Sequence, residues 1–266
     1  MTTQKIYFIG CDIGGWHGTN DGFAVCEWDW DEKELKHVCE KSGSLFYPTE
    51  ECIDIFIGKA KEEQAHLVIG IDAALAWPVK FAELVASAPG ASHQPKFELN
   101  GAITNPYLYR ETERFVKTKI NITALSAPGA NFGNNSSKGQ ALTAWFKKKL
   151  GDNVYRPPFD CWDEGTAGNS LYTLIEVYPA ASMKSTKFKG LKWPPITQSM
   201  ESLGDSDIVD AKRAAMTCVC YARTVGMLEG NTYPQVYTPA DMSDKAGQIQ
   251  KEGWIFFPHD GEGNNL

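Results

Sequence analysis

The apolar and polar positions of the chain change period several times, and each change marks an element. Residues 5–11 are apolar and rich in β-formers, and they stop at Asp12-Ile-Gly-Gly-Trp16, a turn. Residues 22–28 make a second strand-like run, turn residues follow at 29–32, and 34–41 alternates well enough for a third strand. Connections this short predict an antiparallel meander. Thr49 then holds the place of an N-cap, with Glu50 and Glu51 in the first turn. Cys52, Ile53, Phe56, Ile57 and Ala60 recur at helical spacing, which predicts a helix to about Gln64.

Leu67, Val68, Ile69 and Ile71 lie in an almost unbroken apolar run at 66–72, as in a central strand buried on both faces. It too stops at an aspartate, Asp72. A strand after a helical connection is expected to lie parallel to its predecessor. Residues 76–170 hold Pro, Gly and Asn clusters with helices around 112–118 and 137–150, and they read as a long insertion packed over one end of the sheet. Residues 171–178 are the fifth strand, stopped by Pro179. From 207 to 227, Ile208, Ala211, Ala215, Cys218 and Ala222 share one helical face. The apolar segment 253–257 is expected to dock on the core.

Composition narrows the class. Hydrophobic residues make up 42% and charged residues 22%, which argues against disorder. A chain of 266 residues buries roughly 70–75% of its surface on folding. We expect one domain over 1–266, with the insertion at about 76–170. No apolar run approaches the roughly 20 residues of a membrane span, and the first residues lead into a strand rather than a signal peptide. Seven scattered cysteines with no CxxC pair suggest reduced thiols and a cytoplasmic location. No Cys/His zinc spacing is present. The formal charge of −7 disfavours non-specific binding of nucleic acid over the whole surface, and leaves room for a local basic groove or a metal-mediated contact.

The acids are placed suggestively. Asp12 ends the first strand, Asp72 ends the fourth, and Glu176 lies near the end of the fifth. Asp207 and Asp210 begin the late helix at a spacing that shares a face. If the first and fourth strands are parallel neighbours, Asp12 and Asp72 meet at one rim of the sheet, where ligand sites form. Two unit charges about 5 Å apart cost roughly 3 kcal/mol at an effective dielectric near 20. Such a set needs protons or cations, and oxygen-only donors point to Mg²⁺ or Mn²⁺. Each aspartate alone also fits a turn former or a helix N-cap.

In order along the chain stand Gly10-Cys-Asp12-Ile-Gly14, Gly70-Ile-Asp72-Ala-Ala-Leu75-Ala-Trp-Pro78, Tyr109-Arg110-Glu-Thr-Glu113, Ile175-Glu176-Val-Tyr178-Pro179-Ala-Ala181, Asp207-Ile-Val-Asp210-Ala211 and Glu252-Gly-Trp-Ile-Phe-Phe-Pro258. This ordered set resembles the DUF429 family of predicted nucleases with a ribonuclease H-like fold; the family form of the second motif has Pro where Ala74 stands. The resemblance implies an α/β fold, ribonuclease H-like, with a mixed five-stranded sheet of three antiparallel and then two parallel strands flanked by helices. It implies Asp12, Asp72 and Asp210 as metal-binding and catalytic acids, with Glu176 and Asp207 as further members.

Other residues are candidates for substrate contact. Arg110 and Glu113 stand at i, i+3: Arg110 can grip a phosphate with Glu113 orienting it, or the two form a helix-surface ion pair. Lys184 and Lys187, with Lys189 and Lys192, are interleaved with Phe188 and Trp193, a composition that can track and stack a nucleic acid. Lys147-Lys-Lys149 reads as a solvated helix end. Trp16 and His17 follow Asp12 and can line the site.

Three functions are carried forward. The first is a divalent-metal-dependent nuclease or phosphodiesterase using two ions about 3.5–4 Å apart. The second is an actin-like-superfamily ATP-dependent phosphotransferase, suggested by Asp12-Ile-Gly14-Gly15 but lacking a second glycine-rich loop after Asp72. The third is a non-catalytic nucleic-acid-binding module.

Overall fold

The computed structural model describes residues 4–16, 20–43, 49–87, 102–129, 132–195 and 199–261. Strands β1 (Ile6–Asp12), β2 (Asp21–Asp29) and β3 (Glu34–Gly43) pair as the expected antiparallel meander. Helix α1 (Thr49–Glu62) carries the chain to β4 (His66–Asp72), which runs parallel to β1 and pairs with it along its whole length. The insertion follows, with α2 (Val79–Ala86), α3 (Glu111–Ile120), α4 (Phe132–Leu150), β5 (Val154–Tyr155) and α5 (Glu164–Asn169). Strand β6 (Tyr172–Val177) then lies parallel to β4 on the side away from β1. After α6 (Pro179–Ser182) and α7 (Thr186–Lys189) comes the long helix α8 (Asp207–Thr224), and the chain closes with β7 (Gln235–Val236), α9 (Ala246–Glu252), β8 (Ile255–Phe256) and β9 (Pro258–His259).

The result is a mixed α/β architecture: one sheet of antiparallel and parallel strands in the order β3-β2-β1-β4-β6-β5, with β8 also on β6, and helices on both faces. It has seven strands rather than the expected five. The extra pair, β5 and β8, are two residues each and lie parallel to the beginning and the end of β6. A two-residue strand shows no periodicity, so only its partner reveals it. The 253–257 segment docks as expected, as β8.

Side chains alternate across a strand, so each strand feeds two cores. Ile6, Phe8, Ala24, Cys26 and Val68 face α8, meeting Ala211, Ala214, Ala215 and Cys218. Tyr7, Ile9, Cys11, Val25, Leu67 and Ile69 face the other way, onto Ile53 and Ile57 of α1 and Leu142, Phe146 and Leu150 of α4. This corrects the expected position of the insertion. Its helix α4 covers a face of the sheet rather than an end, because β4 is apolar on both sides and needs a helix against each. Its helix α3 supplies Phe115 and Val116 to the other core.

Helix α8 lies against bare backbone. A Cβ on Gly10 would sit 1.9 Å from the Ala211 carbonyl oxygen, and one on Gly22 would sit 1.9 Å from that of Asp207. Glycine at these two positions lets the helix press its first two turns onto β1 and β2, at the rim where β1 ends. Among the described residues no helix is long and apolar enough to cross a membrane.

Candidate functional site

Asp12 and Asp72 are register partners, the last residues of the paired strands β1 and β4. Counting in steps of two, Asp12 lies on the face of Phe8 and Gly10, and Asp72 on the face of Val68 and Gly70. Both therefore belong to the α8 side of the sheet. The first turn of α8 brings Asp207 and Asp210 to the same rim. The helix starts where it does because Ser206 caps it, its Oγ accepting from the Val209 amide.

The charges feel one another. Burial pushes the Asp12 carboxyl up to about 8, and Asp210, Asp207 and Asp21 add to the push; the Ile13 amide offsets part of it. Asp72 rises well above the usual carboxylate range through burial first, then through Asp12, Asp210 and Glu176. Neither Asp12 nor Asp72 forms an ion pair among the described residues, whereas Asp210 Oδ1 accepts from Arg213 Nη1 at 2.8 Å. Hard oxygen donors with no cation paired to them suit Mg²⁺ or Mn²⁺ chemically. Among the described residues, though, no three His, Cys, Asp or Glu side chains stand close enough to enclose an ion as they are.

Glu176 does not join this group. Its register partner is Ile71, which faces the α1 and α4 layer, so Glu176 leaves β6 on the side opposite Asp12 and Asp72. Its oxygens are occupied: Arg110 Nη1 and Nη2 donate to Oε2 and Oε1 at 2.9 and 2.5 Å, and the Leu75 amide donates to Oε2 at 2.9 Å. Glu176 thus anchors the turn that follows Asp72.

Arg110 and Glu113 are likewise interior residues, each 1% exposed. Arg110 Nε donates to Glu113 Oε1 at 2.8 Å, and Nη1 also donates to the Glu252 carbonyl at 3.0 Å. Its donors are directed into the protein, which replaces both expected readings, the phosphate grip and the surface ion pair. Glu252, 2% exposed, closes the network by accepting from the amides of Val79 and Glu111, each at 2.9 Å. One carboxylate thereby satisfies orphan donors at the N-termini of α2 and α3.

Lys184 and Lys187 are exposed, but Phe188 and Trp193, which follow them, are fully buried and cannot stack on a ligand. The periodicity of a short helix, α7, turns its aromatic inward and leaves its lysines outside. Lys189 pairs with Glu201 at 3.2 Å. Trp16 is exposed, and its indole Nε1 donates to Ser137 Oγ at 2.9 Å. His17 lies outside the described residues.

Two residues the sequence did not flag lie under the same rim. Asp21 and Lys138, 0% and 2% exposed, form an ion pair at 2.7 Å, and the Gly14 amide donates to Asp21 Oδ1 at 2.8 Å. They come from β2 and α4, so nothing local in the sequence links them. Arg213, which holds Asp210, was equally unflagged; its i, i+3 spacing to Asp210 was the available signal. No protein-family model, curated protein or solved structure matches the chain.

Proposed function

We propose that the chain is a divalent-metal-dependent phosphodiesterase of nuclease type, on a ribonuclease H-like sheet akin to the DUF429 family. One observation carries this reading: Asp12 and Asp72 end paired parallel strands in register, on the face covered by the helix whose first turn holds Asp210. The strand order β3-β2-β1-β4-β6 is compatible with the proposed fold.

Asp12, Asp72 and Asp210 would hold Mg²⁺ or Mn²⁺. A divalent ion held there supplies Lewis acidity at a phosphodiester and activates water for attack at phosphorus. The chain's own groups do the rest. Asp12, with its carboxyl near 8, can carry a proton at neutral pH and give it up as positive charge arrives. Arg213 steadies Asp210 and limits repulsion at the rim. The Arg110–Glu176 network fixes the turn after Asp72 through the Leu75 amide. Hydrolysis places the oxygen of water on phosphorus and releases the alcohol oxygen of the neighbouring nucleotide.

The test is cleavage of single- and double-stranded DNA and RNA in Mn²⁺, with chelator as control. Wild-type protein is expected to cleave at least one of these, and Asp12→Asn to abolish cleavage while the protein remains folded. Cleavage that survives Asp12→Asn, or no cleavage of any substrate, contradicts the reading.

A further inference from the structure

We propose that Tyr178 contacts the substrate, its hydroxyl donating a hydrogen bond to a non-bridging oxygen of the phosphodiester received at Asp72. The inference rests on the reading of the rim as a phosphodiester site, and it adds a neutral donor beside the acids.

Position comes first. Tyr178 directly follows β6, and Asp72 is the last residue of β4, the strand paired with β6. Past these two strand ends lies a small cavity of about 20 Å³, lined among others by Asp72, Tyr178, Arg110, Glu113 and Leu125. Arg110 and Glu113, each 1% exposed, form its inner wall, while Leu125, 57% exposed, stands on its outer side. Tyr178 is half-buried. A space of this size matches a single water, so a nucleotide meets the cavity only from outside. Tyr178 and Asp72 are near enough to interact: burial first, and then the Asp72 charge, raise the hydroxyl above the ordinary phenol value.

Order comes second. The Tyr178 carbonyl accepts from the Ala181 and Ser182 amides at 2.9 and 3.0 Å and from Ser182 Oγ at 3.3 Å. Pro179, with its fixed φ, opens α6 directly after it. The ring packs against the core on the α8 side of the sheet. The side chain is thus held by packing and its backbone by three hydrogen bonds, the support that a pre-organised contact needs. Yet among the described residues the hydroxyl itself has no hydrogen-bond partner. A partly buried phenol ordinarily finds one.

The supply of donors comes third. Arg110 gives its N–H groups to Glu113, Glu176 and the Glu252 carbonyl. Arg213 donates to Asp205, Asp210 and the carbonyls of Met200 and Gly204. Lys138 is committed to Asp21. Each of these cations faces acceptors inside the protein. The anionic oxygens of a phosphodiester call for donors as well as a metal ion, and hydrogen bonds to charged oxygens are the strong ones. The Tyr178 O–H is uncommitted and lines the same cavity as Asp72. Being neutral, it serves the substrate without taking the place of a cation on the carboxylate.

Fluorescence anisotropy tests this with labelled single- and double-stranded DNA and RNA oligonucleotides in Ca²⁺, which seeks the same oxygen donors. Tyr178→Phe keeps the ring and removes only the hydroxyl. Mn²⁺ titration by calorimetry and thermal melts of the same variant run alongside. Wild type is expected to bind at least one oligonucleotide, and Tyr178→Phe to weaken that binding about tenfold or more. Mn²⁺ affinity and melting temperature should stay at the wild-type values. Equal affinity of the two proteins, or no oligonucleotide binding by wild type, overturns the contact. So does a loss of binding matched by a loss of Mn²⁺ affinity or of melting temperature, which makes Tyr178 structural. Failure of the metal reading is seen separately: absence of Mn²⁺ binding to wild type together with Tyr178-dependent oligonucleotide binding removes that reading and leaves the contact.

Discussion

Asp12 and Asp72 occupy opposed terminal positions of β1 and β4, and no cation pairs with either among the described residues. Two strands that the sequence separates by a meander and a helix deliver like charges to one place. Burial first, and then neighbouring carboxylates, Asp210 among them in both cases, raise both carboxyls, so the apo protein is folded against an electrostatic cost.

That cost has a pH signature. The Asp12 carboxyl stands at about 8 in the folded chain and about 3.9 when unfolded. Across that window the native state holds a proton that the unfolded state has released, so stability falls as pH rises through it. Asp12→Asn removes the titration. Metal-free Asp12→Asn should melt higher than wild type near neutral pH, by roughly 2–4 °C for each kcal/mol relieved, and the difference should close as the pH approaches about 4. Calorimetric melts across this range check it; curves that stay parallel contradict the shift.

The close approach of α8 to β1 predicts a contrast between two glycines. Gly10→Ala drives a methyl into the Ala211 carbonyl and should cost about 1–3 kcal/mol, while pushing the first turn of α8, and Asp210 with it, off the rim. Gly58→Ala in α1 meets nothing within 4 Å and should be neutral or stabilising by about 0.5–1 kcal/mol. Denaturant melts of the two variants compare them directly. Equal effects would mean that the contact does not set the helix.

The Arg110 network carries the opposite expectation. Arg110→Met leaves Glu113 and Glu176 buried without their cation, which should cost on the order of 3–5 kcal/mol. It should also loosen the Leu75 turn next to Asp72. A melting temperature within a few degrees of wild type contradicts an internal, structural role for Arg110 and returns it to the list of ligand-binding residues.

Much of this architecture could be read from the chain, for identifiable reasons. The unbroken run of Leu67, Val68 and Ile69 needs apolar neighbours on two sides, and β4 is central with a helix layer on each face. Asp12 and Asp72 were legible as a pair because strand ends and parallel pairing follow from local pattern and connection length. Arg110 was not, because its partners Glu176 and Glu252 are far away in sequence and the i, i+3 neighbour Glu113 alone resembles a surface pair. Phe188 and Trp193 were misleading for the same reason: interleaved with four lysines they read as a surface that tracks and stacks a nucleic acid, while the aromatics face a core assembled from distant strands and helices. The opposite direction of Glu176 depends on register, since one residue of offset along β6 exchanges the two faces.

Calorimetric titration of Mn²⁺ into the metal-free protein tests the central claim, that Asp12, Asp72 and Asp210 jointly hold a divalent ion. Wild type is expected to bind saturably, with Asp12→Asn and Asp72→Asn each weakening binding roughly tenfold or more, and Gly58→Ala, whose added methyl meets nothing within 4 Å, leaving it unchanged. Absence of Mn²⁺ binding at millimolar concentration, or binding that neither aspartate variant disturbs, would contradict the account.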